Sequence, residues 1–449
     1  MIPVIRYGPS LRLMVLISFL TIFTACRKSD YFIEKVETVT DQGGGTGTVT
    51  WTSDKDYLLS GFVFVNDGQT LTIEAGTVIR GRTGQGSLAS ALIVARGGKI
   101  IAEGTQLNPI IFTVEGDDLK GSVPVEARGL WGGLIILGNA TINTESGEHL
   151  IEGIPISEPR GVYGGNDDDD NSGILRYISI RHAGTKLGEG NEINGLTLGG
   201  VGRQTTIEYV EVISNLDDGV EFFGGAVDCK NLVVAFCGDD AFDLDLGYHG
   251  KGQFWLGINE DSDKCVEVNG GLQPIPGLPD SQPVIYNITL IQDRNSTITT
   301  PIDFQLYSGG FIRNSILLNP MDGAAIRYTD LPGDSWSIFQ SGRLAFNNNI
   351  LYPGSDTAKA YNFYSDLGED LTAENQELKD STIAWLTSFE DPGLSDMNGY
   401  KLLPNKTVFE NMASYSSDWF EQVTYKGAFG SNLWIEGWTL LYESDLITD

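Results

Sequence analysis

The sequence predicts an all-β protein built as a right-handed parallel β-helix, a solenoid with a short mixed helical and irregular C-terminal cap. Short runs of β-branched and aliphatic residues recur from Tyr57 onward, and each run ends in Gly, Asn or Asp. The stretch Tyr209–Gly225 is repeated by Asn231–Gly247, and Leu71 aligns with Leu92 at a similar interval. Strand-rich repeats of about 20 to 30 residues indicate a solenoid, in which one coil holds three short strands and three turns.

Two other all-β architectures fit the pattern less well. A propeller blade needs about 40 residues, and a sandwich has irregular hairpins with two-residue Asn-Gly or Asp-Gly turns. Helical periodicity is nearly absent before residue 365. The parallel β-helix is therefore predicted to occupy residues 51–360.

The C-terminal part, residues 361–449, is predicted to cap the solenoid. Helical patterns run from Ser365 through Glu377 and from Ser381 to Phe389, and an aromatic tail follows at Tyr425–Tyr442. Solenoids need such covers because an exposed strand edge can pair with another chain. We interpret the tail as capping and side packing, with a separate carbohydrate platform as the alternative.

The N-terminus has the pattern of a targeting segment. Arg6 and Arg12 precede an apolar run, Leu13–Phe23, which is shorter than the roughly 20 residues that a helix needs to span a bilayer. Small residues then lead to Cys26, a pattern typical of bacterial lipoproteins. We predict a lipoprotein signal peptide at 1–25, lipidation of Cys26 and a Gly-rich tether through residue 50. Ordinary secretory cleavage is the alternative, and export is predicted in both cases.

The charge balance restricts the partners. The chain has 29 basic and 60 acidic residues, for a formal charge of −31. Such a field repels nucleic acid and anionic lipid headgroups. We expect partners that are neutral, cationic or bridged by a metal, such as a glycan or a surface protein. Membrane contact is expected only through the lipid anchor, and the protein is expected to be a monomer.

Carboxylates recur at matching positions of the repeated stretch. If the repeat interval is one coil, three pairs of acids stack: Asp217 on Asp239, Asp218 on Asp240, and Glu221 on Asp243. Unit charges about 5 Å apart repel by roughly 3 kcal/mol at an effective dielectric constant of about 20. Because hard oxygen ligands in loops suit Ca²⁺, these six residues are candidate calcium ligands. The alternative is that the same side chains accept hydrogen bonds from turn amides.

A second acidic motif is a weaker calcium candidate. It lies on a loop rich in Gly and Asn and consists of four consecutive residues: Asp167, Asp168, Asp169 and Asp170. The run lacks the spaced pattern of an EF-hand loop, and a solvated loop is the alternative. No cofactor besides calcium is predicted.

Paired carboxylates are also typical of glycosidases, which place two acids beside the scissile sugar bond. The candidate catalytic residues are Asp217, Asp218, Asp239, Asp240, His249 and Lys251. Pectin-cleaving β-helix hydrolases carry Asn-Thr-Asp and Arg-Ile-Lys triplets, which this sequence lacks. A lyase would instead need a base such as Lys251 or Arg181 beside Ca²⁺, without a recognisable signature here.

Three cysteines remain if Cys26 carries lipid, namely Cys229, Cys237 and Cys265. Their spacing matches no zinc motif, and cysteine is among the most often buried residues. We interpret them first as core residues and second as one disulfide with a thiol left over.

Several motifs together resemble a widespread group of exported β-helix proteins and lipoproteins of Bacteroidota. They include "GTQLNPIIFT", "LWGGLIILGNATIN", "YGGNDDDDNSGILRYISIRHAG", "DDGVEFFGG", "DDAFDLDLGYHGKGQFWLG" and "YKGAFGSNLWIEGW". The resemblance spans about residues 50–440. It implies the β-helix fold and an exported location, and it implies no catalytic residue.

These observations favour a non-catalytic, exported outer-membrane lipoprotein that faces either the cell surface or the periplasm. Its β-helix would present an extended surface for glycan or protein binding, with calcium as a stabilising ligand. The second hypothesis is a polysaccharide-acting hydrolase or lyase that uses the stacked aspartates.

Overall fold

The computed structural model of the protein describes residues 35–188, 191–260, 262–271, 278–293, 301–319, 324–326, 335–352, 388 and 390–448. These residues form a right-handed parallel β-helix, as the sequence predicts. The strands pair in parallel from coil to coil, and helices are few and short in the described residues. The repeat interval of the sequence is one coil, because Ile207 pairs with Cys229 and Val220 with Phe242.

Three parallel sheets run along the solenoid. Sheet one contains Val49–Trp51, Thr70–Ile73, Lys99–Glu103, Lys251–Gln253, Val284–Tyr286, Gly310–Arg313 and Leu344–Asn347. Sheet two contains Val36–Val39, Asp56–Leu59, Val78–Gly81, Ile110–Val114, Leu256–Asn259, Thr289–Gln292, Ile316–Leu318 and Ile350–Tyr352. Sheet three contains Phe62–Val65, Ala91–Val94, Leu134–Leu137, Leu196–Gly199, Val220–Phe223, Phe242–Asp245, Val266–Asn269, Ile302–Gln305 and Ala324–Ile326.

Three longer strands bend from sheet one into sheet two: Gly173–Arg181, Thr206–Ile213 and Cys229–Ala235. At this corner, one residue in each of seven successive coils has a positive φ between 51° and 60°: Tyr177, Tyr209, Asn231, Phe254, Asn287, Asn314 and Asn348. Asn tolerates this left-handed conformation better than most residues. We call this row of residues the corner ladder.

Inward-facing aliphatic and aromatic side chains fill the coil, as alternation along strands predicts. Trp131 and Trp255 are fully buried in this core. Cys229, Cys237 and Cys265 are also buried, and all three are free thiols. The interpretation of these cysteines as core residues is therefore confirmed, and the disulfide alternative is wrong.

The β-helix begins earlier than residue 51. Val36–Val39 already pairs with Asp56–Leu59, and the Gly-rich stretch predicted as a tether is a turn of the first coil. Asp41 holds this turn by accepting hydrogen bonds from the amides of Gly43 and Gly45. Gly45 has φ +67°, and a Cβ there would clash with the side chain of Gln69, so the turn requires glycine. The predicted signal peptide and Cys26 lie outside the described residues.

The predicted alignment of Leu71 with Leu92 is wrong. Leu71 lies in sheet one, where it pairs with Val49 and Ile100. Leu92 lies in sheet three, where it pairs with Val63 and Leu134. Apolar runs look alike in all three sheets, and turn lengths vary between coils. Sequence spacing alone therefore assigned Leu71 and Leu92 to the same sheet.

The C-terminal segment, residues 390–448, packs along the side of the β-helix. Its buried Phe429, Ile435 and Leu441 join outward-facing residues of sheet two, such as Val233 and Ile258, in one apolar cluster. Amides of the corner ladder also hold it: Asn287, Asn314 and Asn348 donate to the carbonyls of Tyr425, Ala413 and Asn411. Side packing is therefore confirmed for this segment. The helical patterns predicted at 365–389 lie outside the described residues apart from Ser388, which forms a β-bridge with Ile350.

Short helices complete the described structure, with α-helices at Ser335–Gln340 and Leu440–Glu443 and 3-10 helices at Gly86–Leu88, Pro159–Gly161 and Lys406–Phe409. In the described part of the chain, no helix has the length and apolar character required to cross a lipid bilayer.

Two antiparallel hairpins interrupt the solenoid and cover part of sheet three. The first pairs His149–Leu150 with Val162–Tyr163, and the second pairs Thr185–Gly188 with Asn191–Ile193. Apolar residues of these insertions pack on the outer face of sheet three. The close approach requires a glycine at position 199, since a Cβ there would lie 2.9 Å from the Tyr163 ring. The insertions therefore bury outward-facing residues of sheet three, among them Phe223.

Candidate functional site

Outward-facing side chains of sheet three form a ladder of carboxylates. Val220 and Phe222 point into the core, and the alternation of the strand turns Glu221 outward between them. Strand register then stacks four acids on successive coils: Glu221, Asp243, Glu267 and Asp303. The predicted stack of Glu221 on Asp243 is confirmed, and the ladder is longer than the duplication indicated.

A second row of acids lies at the turn before each of these strands. Oδ1 of Asp218 accepts a hydrogen bond from the amide of Asp240 at 2.8 Å, and Oδ1 of Asp240 accepts one from the amide of Lys264 at 2.5 Å. The amide of Asp239 approaches the carbonyl of Asp217 at 3.4 Å. The predicted stacks are therefore present. The alternative also applies to one oxygen of Asp218 and one of Asp240, each of which accepts a hydrogen bond from a turn amide.

Carboxylate oxygens converge at two points in the described residues. In the first group, oxygens of Asp218, Glu221 and Asp243 lie within 4.8 Å of one another. The second group brings Asp239, Asp240 and Asp263 together within the same distance. Five of the six predicted calcium ligands are thus distributed over two groups. The sixth, Asp217, lies outside both and forms an ion pair with Lys186 at 3.4 Å.

The insertions add further polar groups to this cluster. Glu152 belongs to the first insertion. Burial, and after it the charges of Asp217 and Glu192, raise its pKa to about 7. Tyr163 is fully buried, and its hydroxyl has no hydrogen-bond partner among the residues that the structure describes. Burial and the charges of Asp245, Glu221 and Glu152 raise the pKa of this phenol. We call the two groups, together with Glu152, Tyr163, Asp217 and Asp245, the carboxylate cluster.

Burial makes the cluster electrostatically unfavourable when it is ionised. Desolvation, followed by repulsion from neighbouring carboxylates, raises the pKa well above its ordinary value for four residues: Asp218, Glu221, Asp240 and Asp243. Burial raises the pKa of Asp245 to about 7 and, against the opposing charge of Lys186, that of Asp217 to about 6. The fold thus places several carboxyl groups where they are stable only if they bind protons or a cation.

Basic partners are few around the cluster. Among the described residues, Lys186 pairs with Glu192 and Asp217, and Lys264 pairs with Asp263 at 2.5 Å and Glu267 at 3.2 Å. None of these four ion pairs involves the group formed by Asp218, Glu221 and Asp243.

Two oxygens beside that first group are buried without a hydrogen-bond partner in the described part of the chain. They are Oδ1 of Asp243 and Oδ1 of Asn194, whose amide nitrogen donates to Glu221. Carboxylate and amide oxygens in this arrangement form the donor set that Ca²⁺ prefers.

The acidic loop 167–170 is built differently. Oδ2 of Asp168 lies 3.1 Å from Nε2 of His249, and Asp169 forms an ion pair with Arg203 at 3.0 Å. Asp167 accepts a hydrogen bond from the amide of Asp169, and Asp170 from the hydroxyl of Ser172. Arg203 also lies 3.8 Å from Asp168, so all four carboxylates are engaged by local hydrogen bonds or by Arg203 and His249. The structure therefore does not support the calcium site predicted from this run.

The predicted basic catalytic residues lie apart from the cluster. His249 uses both ring nitrogens, one with Asp168 and one with the carbonyl of Gly247. Lys251 begins a strand of sheet one and pairs with Asp228 at 3.0 Å. Arg181 is buried at the end of a sheet-two segment, where its Nε donates to Ser179. Because the sheets face different directions, neither Lys251 nor Arg181 can act as a base beside the stacked aspartates.

Sequence reasoning missed Asp263, Glu267, Glu152 and Tyr163. The first two had a detectable signal, since "DKCVEV" at Asp263 repeats "DDAFDL" at Asp239 one coil later. A Lys in place of the second Asp concealed this third repeat. No sequence signal pointed to Glu152 and Tyr163, which reach the cluster only because their insertion folds back over sheet three.

The fold and the site define a parallel β-helix with an acidic, partly covered outer face. The chain belongs to the pectate-lyase-like β-helix domain family, whose model matches residues 43–384. No curated protein matches the sequence.

Two solved structures are similar to this chain. The Dettilon tailspike protein gp208 aligns with 71% of this chain and 62% of its own, at 10% identity and a TM-score of 0.29. This chain therefore spans less than two thirds of the tailspike. The pectate lyase Pel9A aligns with 82% of this chain and 89% of its own, at 12% identity and a TM-score of 0.31.

Proposed function

We propose that the protein is an exported lipoprotein whose β-helix binds an acidic polysaccharide through Ca²⁺ held in the carboxylate cluster. The observation that carries the proposal is the group of Asp218, Glu221 and Asp243, whose oxygens lie within 4.8 Å of one another and receive no ion pair among the described residues. A cation would remove the mutual repulsion of these carboxylates. It would also satisfy the buried oxygens of Asp243 and Asn194.

The polysaccharide part of the proposal follows from charge. A chain with a net charge of −31 repels an acidic polymer unless a cation lies between them. Ca²⁺ takes about 6 to 8 oxygen ligands. An ion held by the second group, in which Asp239 and Asp263 are accessible to solvent, keeps positions for sugar hydroxyls and carboxylates. Membership in a pectate-lyase-like family supports a polysaccharide as the ligand class.

Cleavage is a second candidate function, and one observation favours it. Glu152 and Asp217 have pKa values raised to about 7 and about 6, which suits a general acid near neutral pH. Binding remains the better-supported function because the basic groups that a lyase needs lie on other faces. The hydrolase alternative keeps Asp217, Asp218, Asp239 and Asp240 as its candidate residues.

Purified protein is expected to bind polygalacturonate in calcium and to lose at least tenfold in affinity when a chelator is added. Affinity electrophoresis or isothermal titration measures this, with neutral galactan, whose binding should not depend on calcium, as the polymer control. Binding that is equal in calcium and chelator would contradict the proposal. New reducing ends, or unsaturated products that absorb in the ultraviolet, would show that the protein cleaves the polymer and that its function is catalysis.

The membrane anchor is a separate part of the proposal and depends on Cys26. Cells that express the wild-type chain are expected to incorporate labelled fatty acid into the protein and to retain it in the membrane fraction. Cys26→Ser should abolish labelling and release the protein, because a thiol is required for attachment. Labelling that persists in the variant would show that Cys26 is not the lipidated residue.

A further inference from the structure

A groove of about 220 Å³ lies at the corner between sheets one and two, beneath the C-terminal segment. Its floor is formed by three consecutive members of the corner ladder, Tyr209, Asn231 and Phe254, and its walls by Tyr425 and Trp434. In a coil of three sheets, this corner faces away from sheet three. The groove is therefore separate from the carboxylate cluster.

The groove exists because a short side chain stands between two rings. Tyr209, Asn231 and Phe254 occupy equivalent corners with φ of 56°, 55° and 60°, and successive coils lie about 4.8 Å apart. The amide of Asn231 fills less space than the rings on either side. At the next coils, Asn287 and Asn314 are covered by the C-terminal segment, to which their amides donate hydrogen bonds.

The aromatic walls are fixed by their own packing. Tyr209 stacks on Tyr177 with ring centroids 4.5 Å apart, and Trp434 stacks on Phe429 at 5.3 Å. Trp434 also presents its ring edge-on to Tyr209 at 6.0 Å. Rings that are held in place before binding lose little conformational entropy when a ligand arrives.

Polar groups line the rim of the same groove. Glu421 is fixed by paired hydrogen bonds between its backbone and the Gln253 amide, at 2.8 and 2.9 Å. Its carboxylate lies 3.5 Å from Lys230, and Asn432 is an exposed amide on the opposite wall. Aromatic faces combined with a few carboxylate and amide groups suit a ligand with an apolar face and a hydroxylated edge.

We propose that this groove binds a single neutral hexose ring of a polysaccharide, with the apolar face of the sugar against Tyr209. The hydroxyls at the ring edge are positioned for Glu421, Asn231 and Asn432. A uronate is disfavoured because Glu421 is the charged side chain that lines the groove. The inference shares with the proposed function the premise that the protein binds polysaccharide, but it requires no cation.

The decisive variant is Asn231→Phe, which extends the aromatic ladder into the groove. The corner accepts a ring, because Tyr209 and Phe254 already hold the same backbone conformation. Wild-type protein is expected to bind at least one neutral tetrasaccharide of glucose, galactose or mannose, with a change in tryptophan fluorescence and equal affinity in calcium and chelator. Asn231→Phe should weaken this binding at least tenfold and keep the melting midpoint.

A second variant, Asn432→Ala, removes one exposed amide without disturbing packing and should weaken binding by about 2- to 10-fold, the value of one hydrogen bond. Glu436→Gln, on an exposed turn of the same segment, is the matched control and should bind like wild type. The inference is overturned if no neutral tetrasaccharide binds, or if Asn231→Phe binds as tightly as wild type. Loss of calcium-dependent polygalacturonate binding, by contrast, would overturn only the function proposed for sheet three.

Discussion

Asp243→Asn is expected to be more stable than wild type in chelator and less stable than wild type in calcium. In chelator, the variant should be more stable than wild type by about 1 to 3 kcal/mol, because an amide avoids the cost of protonating a buried carboxyl group that is ionised in the unfolded chain at neutral pH. In calcium at about 1,000 times its dissociation constant, wild type should gain about 4.1 kcal/mol. The variant should gain little, since it has lost a ligand, so the order of stability inverts between the two conditions.

Thermal melting in chelator and in calcium measures both effects for each protein. Asp67→Asn is the matched control, because Asp67 is exposed and lies outside the carboxylate cluster. This control should respond to calcium as wild type does. Equal wild-type midpoints with calcium and with chelator would exclude a stabilising cation in the cluster.

The stability of the cation-free protein is expected to fall as pH rises from 5 to 8. Burial first, and neighbouring carboxylates second, raise the pKa of Glu152 from 4.5 to about 7. The native state therefore binds protons more tightly than the unfolded chain between these pH values, and the free energy of unfolding decreases with pH. Asp245, with a pKa raised to about 7, and Asp217, raised to about 6, act in the same direction and in the same window.

The expected fall in the free energy of unfolding is large for a single cluster. One pKa unit corresponds to about 1.4 kcal/mol, so Glu152 alone contributes roughly 3 kcal/mol, and coupled neighbours add less than their separate sums. Acids whose pKa is lowered, such as Asp41 and Glu158, lose their contribution only below this window. Burial lowers the pKa of His182 from 6.5, so this residue opposes part of the fall. Urea unfolding in chelator at pH 5 and pH 8 measures the fall.

Glu152→Gln should flatten the pH dependence, because the amide cannot ionise. Calcium at pH 8 should restore much of the stability that wild type loses, since the cation replaces the protons. A free energy of unfolding that stays constant or rises between pH 5 and 8 in chelator would contradict a buried, unbalanced cluster.

The repeat structure was accessible from the sequence because a parallel β-helix is periodic. Val220 and Phe242 occupy equivalent inward positions, and Glu221 and Asp243 equivalent outward ones, so an interval in the sequence is also a stacking distance. Prediction failed where the interval changed. Leu71 pairs with Ile100 rather than Leu92, because the turns of that coil are longer.

The membership of the cluster was only partly accessible. Asp218, Glu221, Asp239, Asp240 and Asp243 could be named because they lie in the repeated stretch. Glu152 and Tyr163 could not be named. They reach sheet three through a hairpin inserted between coils, and its contacts do not follow the repeat of the sequence. Lys251 and His249 lie close in sequence to the acids and yet do not join them, since adjacent segments of one coil face different directions.

By itself, the amino-acid sequence determined that the chain winds into a parallel β-helix, that acids stack on neighbouring coils, and that Cys229, Cys237 and Cys265 belong to the core. These properties depend on local alternation and on a repeating interval, which are written directly along the chain. Only the tertiary structure decided which carboxylates converge, how deeply the insertions bury them, and where Asn231 leaves a groove between two rings. Burial and convergence depend on contacts between distant segments, and these contacts turn a row of acids into a site.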